Sequence, residues 1–160
     1  MAVRTRLQRA RLVGVICMDD LENNASNGFA ESELHKAAWS GDLNWVKQVV
    51  EGGADVNWRD SSGETALFGA CGWGRIDVIK YLIENKALIN IHEEYGLTPL
   101  HWAAQNGGLD TIKLLIEAGA DPKAANSFGQ LPIDLAHKSG KGDRVAYLKT
   151  VGPEIESRRK

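Results

Sequence analysis

The chain has 160 residues, of which 43% are hydrophobic and 25% are charged, and this composition supports one domain with a core of ordinary size. The formal charge of −2 hides an asymmetry, because residues 1–17 hold four arginines and no acid; the acidic remainder is not expected to bind nucleic acid. No apolar run approaches the roughly 20 residues that span a bilayer, and Cys17 and Cys71 lie too far apart to suggest a disulfide framework. We therefore expect no membrane partner and a reducing compartment, cytoplasmic or nuclear.

The first segment, "MAVRTRLQRARLVGVIC" (1–17), is rich in arginine and lacks acids, as mitochondrial transit peptides are, although their serine enrichment is missing. Two other interpretations stay open: a disordered basic arm, or an upstream stretch that is not always translated, since Met18 would make an ordinary start. Residues 18–30 are acidic and then rich in Asn, Ser and Gly, which is typical of a flexible lead-in. We place residues 1–30 outside the fold, with mitochondrial localisation as an alternative.

Four copies of one pattern follow at a constant spacing of 33 residues, without a gap. Residues 33 apart therefore form columns of matching type, and three columns are leucine or isoleucine, alanine, and glycine. These columns are Leu34, Leu67, Leu100 and Ile133; Ala37, Ala70, Ala103 and Ala136; and Gly41, Gly74, Gly107 and Gly140. A fixed period of this length indicates a repeat architecture.

The clearest copy is "YGLTPLHWAAQNGGLDTIKLLIEAGADPK" (95–123). Thr98 suits a helix N-cap and Pro99 suits the first helical position, so a short helix is predicted to run from there to the break at residues 106–108. A second, amphipathic helix follows and ends at Gly119, which offers a left-handed residue. Such a helix pair cannot bury both of its faces alone, so stacked copies are predicted to form a solenoid with one continuous core.

The motif "TPLHWAA" (98–104), the "GAD" closures (53–55 and 119–121) and the period closely resemble the ankyrin repeat. The resemblance implies an all-α stack of antiparallel helix pairs with hairpin loops that form a concave face with the inner helices. The compact four-unit layout is similar to that of myotrophin-like ankyrin proteins. The resemblance to the ankyrin repeat covers about residues 31–152 and leaves 153–160 as a polar tail. The four repeats are about 31–59, 60–92, 93–125 and 126–152.

The copies differ from one another in ways that predict their roles. In the first, Ser32 stands one residue before the proline column and is predicted to cap the first helix. In the last, Lys149 replaces an apolar residue, so repeats one and four are expected to be polar end caps. In the second, Phe68 replaces histidine, "NKALIN" (85–90) replaces the "GADVN" closure, and Lys86 occupies a left-handed glycine position at a cost of about 1 kcal/mol unless Asn85 or a shifted stop relieves it.

Candidate chemical residues are few. His35 and His101 share a column and different layers, so we predict a structural role rather than a metal site, and we expect no cofactor. The stretch "GACGWG" (69–74) could be a phosphate loop or a nucleophile's loop, and an enzyme that uses Cys71 is the alternative hypothesis. The register instead places Cys71 in a small-residue column, as a buried spacer, and makes Gly69 a local choice, since its column also holds lysine, tryptophan and leucine. Of this stretch, only Trp73 is left without a role in the scaffold. Asn57 and Asn90 sit where the family can carry hydroxylated asparagine.

The remaining surface residues predict a protein-binding module. Aromatic side chains on a rigid surface are common anchors of protein recognition, and the acidic residues Glu64, Glu93 and Glu94 beside them suggest a basic partner segment. Packing between layers is the structural alternative for Trp39, Trp73 and Trp102. The predicted binding residues of this non-enzymatic, monomeric adaptor are Trp39, Trp58, Ser62, Glu64, Trp73, Glu94, Tyr95, Leu97, Gln105, Asn106 and Phe128.

Overall fold

A computed structural model of the protein describes residues 29–152. The predictions for the basic segment, for most of the lead-in and for the polar tail concern residues outside this range and stay predictions.

Eight helices make up the regular structure of residues 29–152, and no strand occurs within that range. They form four antiparallel pairs, each with one inner helix (odd numbers) and one outer helix (even numbers). The helices are α1 (Phe29–Ser40), α2 (Leu43–Glu51), α3 (Ala66–Gly72), α4 (Ile76–Glu84), α5 (Pro99–Gln105), α6 (Leu109–Glu117), α7 (Pro132–Lys138) and α8 (Gly142–Val151). Each inner helix packs beside the next, so the pairs stack as a solenoid, as predicted.

The helix boundaries follow the local sequence signals in most copies. Helix α5 starts after Thr98 with Pro99 at its first position, and it ends before the break at 106–108. In α2, the carboxylate of Asp42 accepts a hydrogen bond from the Trp45 N–H at 3.0 Å, which satisfies a free amide of the first turn. The sequence was wrong about Ser32, which lies inside α1 rather than at its N-cap, because α1 already begins at Phe29.

The core runs through all four repeats. Its centre is built from the leucine and alanine columns, whose members are at most 3% exposed. Small alanines on the inner helices allow close approach of the partner helices, and branched residues on the outer helices, such as Ile79 and Ile112, fill the space between them. Trp45 covers the outer side of the first repeat, where it is half-buried against this core.

Two turn positions differ from the other members of their columns, one in residue type and one in backbone conformation. Lys86 has φ +67° in the place where Gly53 and Gly119 are left-handed, and α4 does not shift its end to avoid this. The Asn85 side chain only satisfies a helix carbonyl, at 2.9 Å from Tyr81 O. Gly107, in contrast, does not have the left-handed φ of the other three glycines in its column. A Cβ at Gly107 would lie 2.5 Å from the carbonyl oxygen of Cys71, so close packing requires this glycine.

Candidate protein-binding surface

Histidine side chains join two of the four inner helices, α1 and α5, to the loop of the next repeat. His101 Nδ1 accepts the Thr98 N–H at 3.1 Å and lies 2.9 Å from Thr98 Oγ1, while Nε2 lies 3.0 Å from the Gln130 carbonyl. Because a carbonyl only accepts, Nε2 carries the proton and the ring is neutral. Burial lowers the pKa of His101, which agrees with that state. His35 makes the equivalent contact with the Glu64 carbonyl at 3.0 Å, so the structural role predicted for both histidines matches their geometry.

The second repeat lacks this network because Phe68 occupies the histidine column. The Phe68 ring meets Trp102 edge to face at 6.5 Å, so it contributes packing instead. The hydroxyl of Thr65, which corresponds to that of Thr98, is consequently buried without a hydrogen-bond partner. This repeat therefore exchanges one polar link for an apolar contact.

The loops between the pairs are tight turns closed by one side chain each. Glu93 accepts the N–H groups of Tyr95 and Leu97 at 2.8 and 2.9 Å. Asp60 and Asn126 do the same in their own turns, and all three residues belong to one column. The turns also bond to one another: Glu94 N–H donates to the Ser62 carbonyl at 2.9 Å. These bonds hold the loop tips in a fixed row.

Four exposed aromatic side chains follow the ends of the inner helices and the loop tips. Trp73, just after α3, is 62% exposed, and Trp39, near the end of α1, is 49% exposed. At neighbouring loop tips, the rings of Tyr95 and Phe128 are stacked, with centroids 6.5 Å apart and planes inclined by 20°. Exposed large apolar side chains of this kind are typical of recognition surfaces.

The glycines of α3 make room for tryptophans from both neighbouring repeats. A Cβ at Gly69 would collide with the indole of Trp39, and a Cβ at Gly72 would lie 2.9 Å from Cε3 of Trp102. Gly69 thus has a packing role that the column comparison did not reveal, since its partner lies in another repeat. Trp102 is half-buried between α3 and α5, so it packs between layers, whereas Trp73 does not.

The other predicted binding residues divide by exposure. Ser62, Glu94, Gln105 and Asn106 are exposed, as a contact role requires. Trp58 is half-buried with its indole edge to face against His35 at 5.4 Å, and Leu97 is half-buried too. Glu93, expected beside the aromatics as an acidic contact, is 7% exposed because its carboxylate closes its own turn.

Glu64 is half-buried in an acidic environment. Its burial, and then the nearby carboxylates of Asp60 and Glu93, raise the pKa of its carboxyl, and His35 opposes this weakly. The shift therefore comes first from burial and then from repulsion by two carboxylates of the second and third loops. A cation brought by a partner would lower the electrostatic energy of this group.

Cys71 does not lie in the environment of a reactive thiol. Cys71 is 0% exposed, and burial raises the pKa of its thiol far above the ordinary value, which is the opposite of what a nucleophile needs. Within residues 29–152, no group of three or more His, Cys, Asp or Glu side chains is placed to hold a metal ion. The helices of that same part of the chain are all too short or too polar to cross a membrane.

Among the exposed large hydrophobic side chains of residues 29–152, one was not a predicted site residue. Leu88 is 55% exposed in the turn after α4, and it borders an open pocket of about 580 Å³. The signal was present in the sequence, because Leu88 stands in a column with Asp55 and Asp121. The irregular closure at 85–90 pointed to this position, but Leu88 was not predicted to be exposed.

Comparison with known proteins supports the architecture. A search of curated proteins gave no match. A family model of ankyrin repeats, in three copies, matches residues 34–126, which is more than half of the chain. That range contains both linking histidines, the loops that Asp60 and Glu93 close, and three of the four exposed aromatics described above. This chain belongs to the ankyrin-repeat family.

Proposed function

We propose that the protein is a non-enzymatic adaptor that binds a segment of another protein along the ends of its inner helices and its loop tips. Ankyrin repeats are in general protein–protein interaction modules. The observation that carries the proposal is the placement of exposed apolar area. Of five large hydrophobic side chains exposed among residues 29–152, four lie on this surface: Trp39, Trp73, Tyr95 and Phe128.

The surface is rigid before binding, which favours affinity. Tyr95 and its neighbours lie in turns that side chains and inter-loop bonds close, and Trp39 rests on Gly69. Little conformational entropy then remains to be lost on association, so the apolar area of the anchors contributes more fully to binding. The stacked pair Tyr95 and Phe128 presents its faces as one unit from two repeats.

The charge beside these anchors favours a partner with basic residues. Glu94 is exposed, Glu64 is half-buried with a raised pKa, and Asp60 and Glu93 lie close enough to Glu64 to raise it further. A lysine or arginine near this cluster would relieve the repulsion among the carboxylates. Binding is therefore expected to weaken as salt is added.

Affinity capture with the full chain tests this proposal. The variant Trp73→Ala/Tyr95→Ala should lose partners that the wild type retains, while its thermal midpoint changes little because both side chains are exposed. Gln48→Ala, on the exposed side of α2, is the matched control and should capture the same proteins. If the double variant unfolds early and still captures the wild-type partners, these residues belong to the scaffold and the proposal is wrong.

The compartment in which this adaptor works is a separate proposal. We favour the cytoplasm or nucleus because only two cysteines occur and no disulfide framework is indicated. The arginine-rich, acid-free segment 1–17 supports mitochondrial targeting as the alternative. A fluorescent reporter fused to the chain with and without that segment separates the two: loss of mitochondrial signal on its removal would favour the alternative.

A further inference from the structure

The turn that follows α4 departs from the equivalent turns of the neighbouring repeats. Leu88 occupies the column of Asp55 and Asp121. Those aspartates accept the N–H two residues ahead, on Asn57 at 2.9 Å and on Lys123 at 2.8 Å. A leucine cannot accept such a bond, so this turn has lost the contact that closes its two counterparts.

The backbone turn itself is kept, because residues 89–90 form the same turn as residues 56–57 and 122–123. The Asn57 side chain supports it by accepting the Leu88 N–H at 2.7 Å and donating to the Lys86 carbonyl at 2.9 Å. Two residues before Leu88, Lys86 holds a left-handed φ of +67°. The turn thus keeps a left-handed lysine two residues before an exposed leucine, where the neighbouring turns have glycine and aspartate.

An open pocket lies at this turn. Its volume is about 580 Å³, which is in the range of ligand-binding pockets, and residues 87–92, residues 118–119 and Arg59 line it. Leu88 is exposed and both isoleucines of the stretch, Ile89 and Ile91, are half-buried. Arg59 is the one formally charged residue among those that line the pocket, and none of them is an Asp or Glu.

The position of Arg59 is fixed by hydrogen bonds. Its Nε donates to the Gly63 carbonyl at 3.1 Å, and its Nη2 donates to the carbonyl of His92, which itself lines the pocket. The residues 33 and 66 positions after Arg59 are His92 and Ala125, so the third repeat has no comparable cation. Apolar lining and a held positive charge therefore coincide at this one turn of the described chain.

We propose that this pocket is a second docking surface, which takes an extended segment of a partner protein that carries an aliphatic side chain next to a carboxylate. The aliphatic group would pack on Leu88 and the isoleucines, and the carboxylate would lie near Arg59. Because the pocket is open to solvent, a segment lying across it covers more of its surface than a small molecule would. This surface is distinct from the aromatic one, and its preferred charge is of opposite sign.

Selection from a displayed library of random 12-residue peptides tests the proposal on the full chain. The wild type is the bait, and Leu88→Asp, which restores the residue of the neighbouring turns and should fold, removes unspecific binders. Enriched peptides should place Leu, Ile, Val or Met beside Asp or Glu. Their affinity, measured by fluorescence anisotropy, should fall at least tenfold with Leu88→Asp and weaken with added salt.

Two further variants make the outcome decisive. The double exchange Leu88→Asp/Asp121→Leu keeps composition and net charge but moves the exposed leucine away from Arg59, so it should not bind the enriched peptides. Trp73→Ala/Tyr95→Ala should bind them normally, which separates this site from the aromatic surface. The proposal is overturned if no enriched peptide distinguishes wild type from Leu88→Asp, if basic peptides are enriched, or if the double exchange binds as the wild type does. It is also overturned if sedimentation shows a wild-type dimer that Leu88→Asp abolishes, since a second copy then covers the pocket.

Discussion

Removal of the Thr65 hydroxyl should make the protein more stable. The residue is 1% exposed, and its hydroxyl has no hydrogen-bond partner because Phe68 stands in the histidine column. Thr65→Val keeps the shape of the side chain and removes the buried polar group. The hydroxyl makes no capping bond to α3, so the substitution loses no such contact.

The expected size follows from the environment of the two equivalent threonines. A buried hydroxyl without a partner costs about 1–3 kcal/mol, and valine recovers part of this, so we expect a gain of about 1 kcal/mol. For a domain of this size, that gain raises the thermal midpoint by about 3–5 °C. At Thr98 the hydroxyl lies 2.9 Å from His101 Nδ1, so Thr98→Val should cost about 1 kcal/mol instead.

Urea denaturation followed by tryptophan fluorescence or circular dichroism measures both variants, and differential scanning calorimetry checks the midpoints. The informative quantity is the difference between the two substitutions, which are chemically identical and occupy one column. We expect opposite signs and a gap of about 2 kcal/mol. If Thr65→Val destabilises the fold as much as Thr98→Val does, the unpartnered hydroxyl does not have the cost assigned to it here.

Three further predictions concern single sites. Lys86→Gly should stabilise the protein by about 1 kcal/mol in urea denaturation, because it removes a lysine from a left-handed conformation. Gly119→Lys, at the equivalent position, should destabilise it; a change of the same sign in both variants would contradict the backbone argument. Burial lowers the pKa of His101, so the unfolded chain binds a proton at a pH where the folded chain does not, and stability should fall as pH drops below about 6.5. The fall should be less steep in His101→Gln, and parallel pH profiles of the two proteins would refute this. Cys71 should react with a thiol reagent slowly until the protein is denatured, and Cys71→Leu should cost about 1–3 kcal/mol through overpacking while Cys71→Ala is mild; fast native labelling would revive the nucleophile hypothesis.

The sequence predicted the features that depend on local signals and on the period. The boundaries of α5, the buried alanine and leucine columns and the left-handed Lys86 all follow from residue type and register. The structural role of His101 also followed, because it belongs to a motif that repeats. In each case the information lies within one copy or in the comparison of copies.

Contacts between repeats were harder to predict. Gly69 had no evident role, because the indole that requires it comes from α1. Glu93 was expected to be accessible, yet its carboxylate turns back to its own loop. Its column holds Asp60 and Asn126, which are typical turn-closing residues, and the sequence analysis did not use this signal. The binding roles of the aromatic residues remain predictions, since exposure permits contact with a partner without proving it.

The contacts of Trp39 mean that a single 33-residue repeat does not contain both this proposed binding residue and the residues that position it. Its indole lies over Gly69, and its carbonyl accepts a hydrogen bond from Arg75 Nε at 3.3 Å, so two residues of the second repeat fix an anchor of the first. Duplication or transplantation of a 33-residue copy would therefore carry either the anchor or its support. New binding surfaces in such a chain are expected to arise by coordinated change across a repeat boundary, and an engineer who grafts this anchor must move both sides of that boundary together.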